Sequence, residues 1–242
     1  MDLPKIELPI YELKLPSSGK LIKVRPFIVK EEKLLLMAVE SKDNNEIINT
    51  TKQIISNCIL EGNVNVNTLP FFDIDYLFIA LRAKSIGEKI PIQYRCTTIM
   101  PDNEECGAFF DSEIDISNVE IETKNQVSDE INLDSGVTVK MKYPTYSIMK
   151  NLSAKDPALT NKIKVISHCI DMIVKGKRVH SSRDLSEGEL LGFIESLTQK
   201  NFKKLEEFVD NFPSFYIGVQ HKCENCGTEH SLRYTDFLDF FQ

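Results

Sequence analysis

The sequence predicts an α+β fold of two similar halves, each with a β-hairpin, about three helices and a strand–knuckle–strand segment. Three observations carry this. Short alternating apolar runs, which fit strands, are interleaved with stretches of helical periodicity. The order of elements starts again after an acidic, patternless connector at residues 118–130, which divides the chain into an N-terminal half, 1–117, and a C-terminal half, 131–242. Each half then closes on two cysteines: Cys96 and Cys106 in YRCTTIMPDNEECGAFF, Cys223 and Cys226 in HKCENCGTEH. A four-cysteine zinc site joining the halves is the expectation.

The first half opens with ELKLPSSGKLIKVRPF, read as a hairpin. Leu13 and Leu15 alternate, Pro16-Ser17-Ser18-Gly19 turns, and Leu21 to Phe27 return. KEEKLLLMAVESKD predicts a helix with Leu34, Leu35, Ala38 and Val39 as its apolar stripe and Glu31 and Glu32 in its first turn. EIINTTKQIISNCILEG predicts a second helix ending at Gly62. A third runs from Asp73, read as its N-cap, toward Gly87. It is apolar nearly all round, which requires burial on several sides, in the chain's own core or with one face covered by another chain.

The second half repeats this order. INLDSGVTVKMKYPTYSIMKNLSA offers a Ser-Gly turn, a strand, a proline and a helix. KIKVISHCIDMI echoes TKQIISNCILEG and puts Cys169 where Cys58 stood. LLGFIESLTQKNFKKLEEFVDNF then reads as one long helix or two short ones.

The cysteines carry the chemistry. Cys223-x-x-Cys226 is a knuckle followed by Gly227, which can adopt positive φ and let backbone N–H groups face the sulfurs. Cys96 and Cys106 are spaced more loosely, around a polar loop. Strand-like runs precede both pairs: Ile90, Ile92 and Tyr94, then Phe215, Ile217 and Val219. Two such pincers complete one tetrahedral zinc site. A structural zinc contributes on the order of 10 kcal/mol. His221 and His230 lie near enough in sequence to replace a sulfur. Disulfide pairing is the competing reading, and the expected reducing setting disfavours it.

Four thiolates leave the metal no open position, so catalysis at it is not expected. No H-x-E with P-C-x-x-C marks a zinc deaminase, and SSGK is too short for a phosphate loop. Cys58 and Cys169 sit on apolar helix faces and read as small core residues; His168 and His180 receive no role. The carboxylate pairs Glu31-Glu32 and Asp73-x-Asp75 read as helix-start residues rather than acid–base machinery. Lysines in KGKR and QKNFKK read as solvated faces. The aromatic C-terminus, with Phe237, Leu238, Phe240 and Phe241, suggests docking on its own domain or on a partner.

Composition sets outer bounds. The 242 residues suit one large domain or two of about 120. Hydrophobic and charged fractions of 42% and 27% are those of a globular chain. A net charge of −7 opposes general nucleic-acid binding, which needs a basic face. MDLPKIELPIYELKLP has no apolar leader core and no run reaches membrane-spanning length, so a cytosolic setting is expected.

The run LPSSGKLIKVRPFIVKEEKLLLMAVESKD, the helix FFDIDYLFIALRAKSIGEKI and the paired cysteines resemble the baseplate hub and hub-assembly proteins of T4-type contractile-tailed phages. The likeness is strongest over residues 13–110. It implies a non-enzymatic protein acting at the central hub of the tail baseplate, in the host cytoplasm during assembly or in the virion, with other hub or tail proteins as partners. It does not imply zinc, which rests on the cysteines alone. The alternative is a zinc-ribbon nucleic-acid or transcription-associated module, supported only by Arg95, Lys222 and Arg233. A cell-wall hydrolase lacks an acid–nucleophile pair.

Overall fold

The computed structural model describes residues 6–117, 119–122 and 127–235. In chain order it contains β1 (Tyr11–Lys14), β2 (Leu21–Val24), α1 (Val29–Glu40), α2 (Asn44–Cys58), β3 (Ile59–Glu61), α3 (Phe71–Ser85), β4 (Lys89–Arg95), β5 (Phe109–Asp115) and β6 (Glu120–Glu122). There follow β7 (Glu130–Asn132), β8 (Val137–Met141), α4 (Ala158–Cys169), β9 (Ile170–Lys175), β10 (Arg178–Ser181), α5 (Glu187–Glu195), α6 (Gln199–Asp210), β11 (Ser214–Lys222) and β12 (Glu229–Tyr234). The protein is therefore mixed α+β, with six helices and several small sheets among the described residues.

The chain forms two compact units. The first takes the residues up to Val66, Phe72–Glu122 and the chain from Ser214 on; the second takes Asn67–Phe71 and the stretch between Glu122 and Ser214. This differs from the expected division in one respect that matters for the site. The C-terminal knuckle hairpin, β11–β12, leaves the residues that precede it and belongs with the first unit. The step is visible in β-pairing: β6, inside the supposedly patternless connector, pairs with β11 through Phe215↔Ile121.

In the first unit, β1, β2 and β3 form an antiparallel sheet. Ile22 and Val24 point inward, with 1% and 0% exposure. Asp43 caps α2 by accepting from the Asn45 N–H at 2.8 Å. The helix stops at Cys58 rather than Gly62, because Ile59 and Glu61 pair with β2. Helix propensity loses here to a sheet edge that needs a third strand. On α1, Leu35 and Ala38 are buried as expected, whereas Leu34, Leu36 and Met37 are exposed. Helix α3 starts two residues before Asp73, so Asp73 is no cap. Its buried carboxylate accepts from the Ser17 N–H at 2.9 Å and from the Ser17 hydroxyl, clasping the β1–β2 turn. Phe72, Ile74, Leu77, Phe78, Ile79 and Leu81 of α3 are each 1% exposed or less, so its all-round apolar surface is covered within the chain.

A buried ion pair ties β2 to α1. Arg25 donates from both terminal nitrogens to Glu31, at 2.9 and 2.7 Å, and to the Pro26 carbonyl at 2.9 Å. Glu31 also accepts from the Ile28 N–H at 2.9 Å.

The second unit has one antiparallel sheet, ordered β10-β9-β8-β7. Its core gathers Val139, Met141, Ile166, Ile170, Leu205 and Phe208. Phe71 packs edge-on against Tyr146 and Phe212. The helix expected after the proline is a 3-10 stretch, Tyr146–Asn151, and the last helical run is two helices, with Thr198 capping α6. KGKR is not merely a solvated face: Gly176, at φ 62°, sits in the turn of the β9–β10 hairpin.

The units share a local plan. Each has a helix running straight into a strand at a fully buried cysteine, Cys58 in one and Cys169 in the other. The carbonyl of Cys58 accepts from the Arg25 N–H, and that of Cys169 from the Lys142 N–H, at 2.9 and 2.7 Å. Each strand that follows pairs with its neighbour across an irregularity, at Lys23/Val24 and at Lys140/Met141. Burial raises both thiols to about 12, so they remain neutral core residues.

Candidate metal centre

The four expected ligands meet. The sulfurs of Cys96, Cys106, Cys223 and Cys226 all lie within 4.8 Å of one another, on two hairpins of the first unit. Two close pairs join the hairpins. Cys96 Sγ is 3.6 Å from Cys226 Sγ, and Cys106 Sγ is 3.8 Å from Cys223 Sγ. A tetrahedron of bonds of about 2.3 Å has edges of about 3.8 Å. The spacing suits a shared cation. All six cysteines are free thiols, so the disulfide alternative finds no support.

The backbone explains how C-x9-C does the work of C-x2-C. The Cys106 N–H donates to the Thr98 carbonyl at 2.8 Å, so the chain leaves after Thr98 and rejoins at Cys106. Residues 99–105 form a small side loop, closed by the Ile99↔Glu105 bridge and turned at Asn103, where φ is 70°. The loop is inserted into a tight knuckle that is otherwise preserved. In both knuckles the glycine after the second cysteine has positive φ, 63° at Gly107 and 74° at Gly227. Each donates its N–H to the first cysteine's carbonyl, at 3.0 and 2.8 Å. Replacing either by alanine is expected to cost about 1 kcal/mol from the left-handed backbone alone, read as a lower denaturation midpoint.

Behind the sulfurs lies a layer of four rings. Tyr94 pairs with Phe110 across β4–β5, and His221 with His230 across β11–β12. Phe110 stacks on His221, with centroids 3.4 Å apart, and Tyr94 lies tilted over His230 at 5.4 Å. The contacts are reciprocal. Tyr94 and His221 each stand two residues before a first cysteine, and Phe110 and His230 each four after a second. Exchanging the hairpins maps Cys96–Cys226 onto Cys223–Cys106 and Phe110–His221 onto His230–Tyr94, as in a two-fold, self-complementary interface.

Polar groups surround the sulfurs. His230 Nε2 lies 3.2 Å from Cys96 Sγ, and Asn225 Nδ2 donates to Cys106 Sγ at 3.2 Å. The Thr98 and Thr228 hydroxyls are each 3.3 Å from Cys96 and Cys226. The Thr228 hydroxyl and N–H draw the Cys226 thiol down to about 6. The Asn225 amide and the Ala108 N–H lower Cys106. At Cys223 the Cys226 N–H also acts to lower the pKa, but burial and the adjoining thiols outweigh it and leave it at about 11. A bound dication would favour the thiolate at every corner.

The neighbouring charges do not form a basic surface. Arg95 pairs with Glu105 at 3.3 Å, and Arg233 pairs with Glu122 and covers the Tyr216 ring at 4.4 Å. Lys222 stands opposite Glu229. The residues that could support nucleic-acid binding are thus paired with carboxylates or face them. Sequence reasoning missed Gly107, the ring layer, the donor Asn225 and the hydroxyls of Thr98 and Thr228. The Cys-Gly step common to both knuckles could have revealed Gly107. The aromatic C-terminus lies outside the described residues. Among the described residues, no helix is long and apolar enough to cross a membrane.

An α+β chain closed by paired cysteine knuckles is the class that fold and site define. A family model described as T4 bacteriophage base plate protein matches residues 8–242, and the chain belongs to that family. It is 23% identical over 233 residues to "Baseplate hub assembly protein gp26" of Enterobacteria phage T4, covering 96% of this chain and 98% of that protein. No solved structure matches.

Proposed function

We propose that this protein is a non-enzymatic structural or assembly component of a contractile-tail baseplate hub, and that Cys96, Cys106, Cys223 and Cys226 hold one structural Zn²⁺. Membership of the baseplate family supports the role, together with the likeness to a hub assembly protein along nearly the whole chain. The observation that carries the zinc is the tetrahedral spacing of sulfurs 117 and 130 residues apart. Zinc pins the hairpin from the C-terminal half against that from the N-terminal half, and the surface so held faces other hub or tail proteins. The two halves descend from one duplicated unit; their common helix–cysteine–strand plan and reciprocal hairpins support this. The protein acts in the host cytoplasm during assembly and at the virion's tail baseplate.

Mixing purified, zinc-loaded protein with the hub proteins of the same phage tests this, with complexes resolved by size and native mass spectrometry. One zinc per chain and a complex lost on chelation are expected. Absence of any complex with the loaded protein rejects the hub role. Undiminished binding after verified zinc loss rejects the zinc-held surface.

A further inference from the structure

The geometry points to His230 as the outer donor that holds Cys96 in place as a metal ligand. This rests on the zinc reading above and adds a residue to it. The distance of 3.2 Å from His230 Nε2 to Cys96 Sγ suits an N–H···S hydrogen bond and is shorter than either close sulfur–sulfur separation. The ring has little freedom: Tyr94 leans on it at 5.4 Å and Phe110 lies 6.2 Å away. Its tautomer must place the proton on Nε2, since a thiolate only accepts.

The reciprocal hairpins make the point sharper. Phe110 occupies the equivalent place on the other hairpin and has no proton to give. Cys96 thus receives an imidazole donor that symmetry would assign to Cys223 but that the sequence withholds there. A Zn²⁺ with four thiolates carries two net negative charges. Donors around the sulfurs offset that charge and fix ligand orientation, and their loss typically costs 10- to 100-fold in affinity. The neutral amide of Asn225 serves Cys106, and hydroxyls adjoin Cys96 and Cys226. His230 gives Cys96 a second neighbour from the opposite hairpin, so the metal and the hairpin joint are coupled through one side chain.

The test uses the full chain with Co²⁺ as a spectroscopic probe and Zn²⁺ competition for affinity. Wild type is expected to give a four-thiolate tetrahedral spectrum. His230→Phe, which copies the ring at Phe110, should keep one metal per chain, lose roughly 10- to 100-fold in affinity and shift the sulfur-to-cobalt charge-transfer bands. His230→Gln, which keeps an N–H donor, should recover most of both. Should His230→Phe fail to fold, NMR of ¹¹³Cd-loaded wild type decides, since an Nε2 proton bonded to Cys96 couples to the metal. Unchanged affinity and bands in His230→Phe, or an Nε2 without a proton, overturn the inference and leave the zinc site standing. A mixed nitrogen–sulfur spectrum in wild type overturns it by making His230 a ligand. Absence of metal binding in wild type removes both readings.

Discussion

Replacing Cys96 or Cys223 by serine is expected to abolish tight zinc binding in either case, although the two residues lie on different hairpins. The reason is the cross-hairpin geometry. Each hairpin contributes two sulfurs, and Cys96 and Cys223 each stand at a close contact with the opposite hairpin. Removing one leaves three thiolates, and no second complete site exists among the described residues. A structural zinc is worth on the order of 10 kcal/mol, comparable with the whole stability of a domain at about 5–15 kcal/mol. Loss of metal should therefore release β11–β12 from the first unit and not merely loosen a loop. Hydrogen exchange would report it as lost protection in β4, β5, β11 and β12, while the β7–β10 sheet of the second unit keeps its own. Zinc retained at one per chain in either serine variant would mean that the pairs bind independently.

The second large effect is expected at the Arg25–Glu31 pair. The Arg25 side chain is 19% exposed and that of Glu31 7%, so water helps neither much. Arg25→Met keeps most of the stem but strands a carboxylate in the junction between β2 and α1. Breaking a buried pair in this way costs about 3–5 kcal/mol, and the residual exposure of Arg25 favours the lower end. The loss should depend on pH. The Arg25 hydrogen bonds, aided by the Ile28 N–H, hold the Glu31 pKa below its usual value. A carboxylate lowered on folding adds stability that is complete above the unfolded pKa of about 4.3 and fades as pH falls through the folded value. In the variant, protonation of the stranded carboxyl relieves its cost. The gap between wild type and variant in urea midpoint should therefore be widest near neutrality and shrink below about pH 5. A gap constant across that range would show that lost packing, not charge, sets the penalty.

Much of this architecture was legible in the residues, and the gaps have physical causes. The cysteine quartet could be found because ligand chemistry is carried by residue type and does not depend on the path between ligands. Helix α3 was legible because apolar side chains all round leave no alternative to burial. Its start is not legible, because an aspartate near a helix N-terminus looks the same whether it caps the helix or clasps a distant turn. Ser17, the partner that decides, is 56 residues away. The end of α2 is hidden for a related reason, since only the edge of β2 makes Ile59–Glu61 a strand. The β9–β10 hairpin had only a weak local signal, Gly176 after the apolar run of β9, because β10 carries one apolar residue, Val179, among polar ones. The return of β11–β12 to the first unit had none, because pairing with β6 is set by packing across nearly a hundred residues.

That return has a consequence for biosynthesis. As the ribosome extrudes the chain, β4 and β5 emerge early, with Cys96 and Cys106 as only half of the cysteine quartet. Their counterparts follow after the whole second unit has been made. The first unit therefore closes late: its β4–β5 hairpin waits for β11 and β12, which emerge only after the second unit has been synthesised.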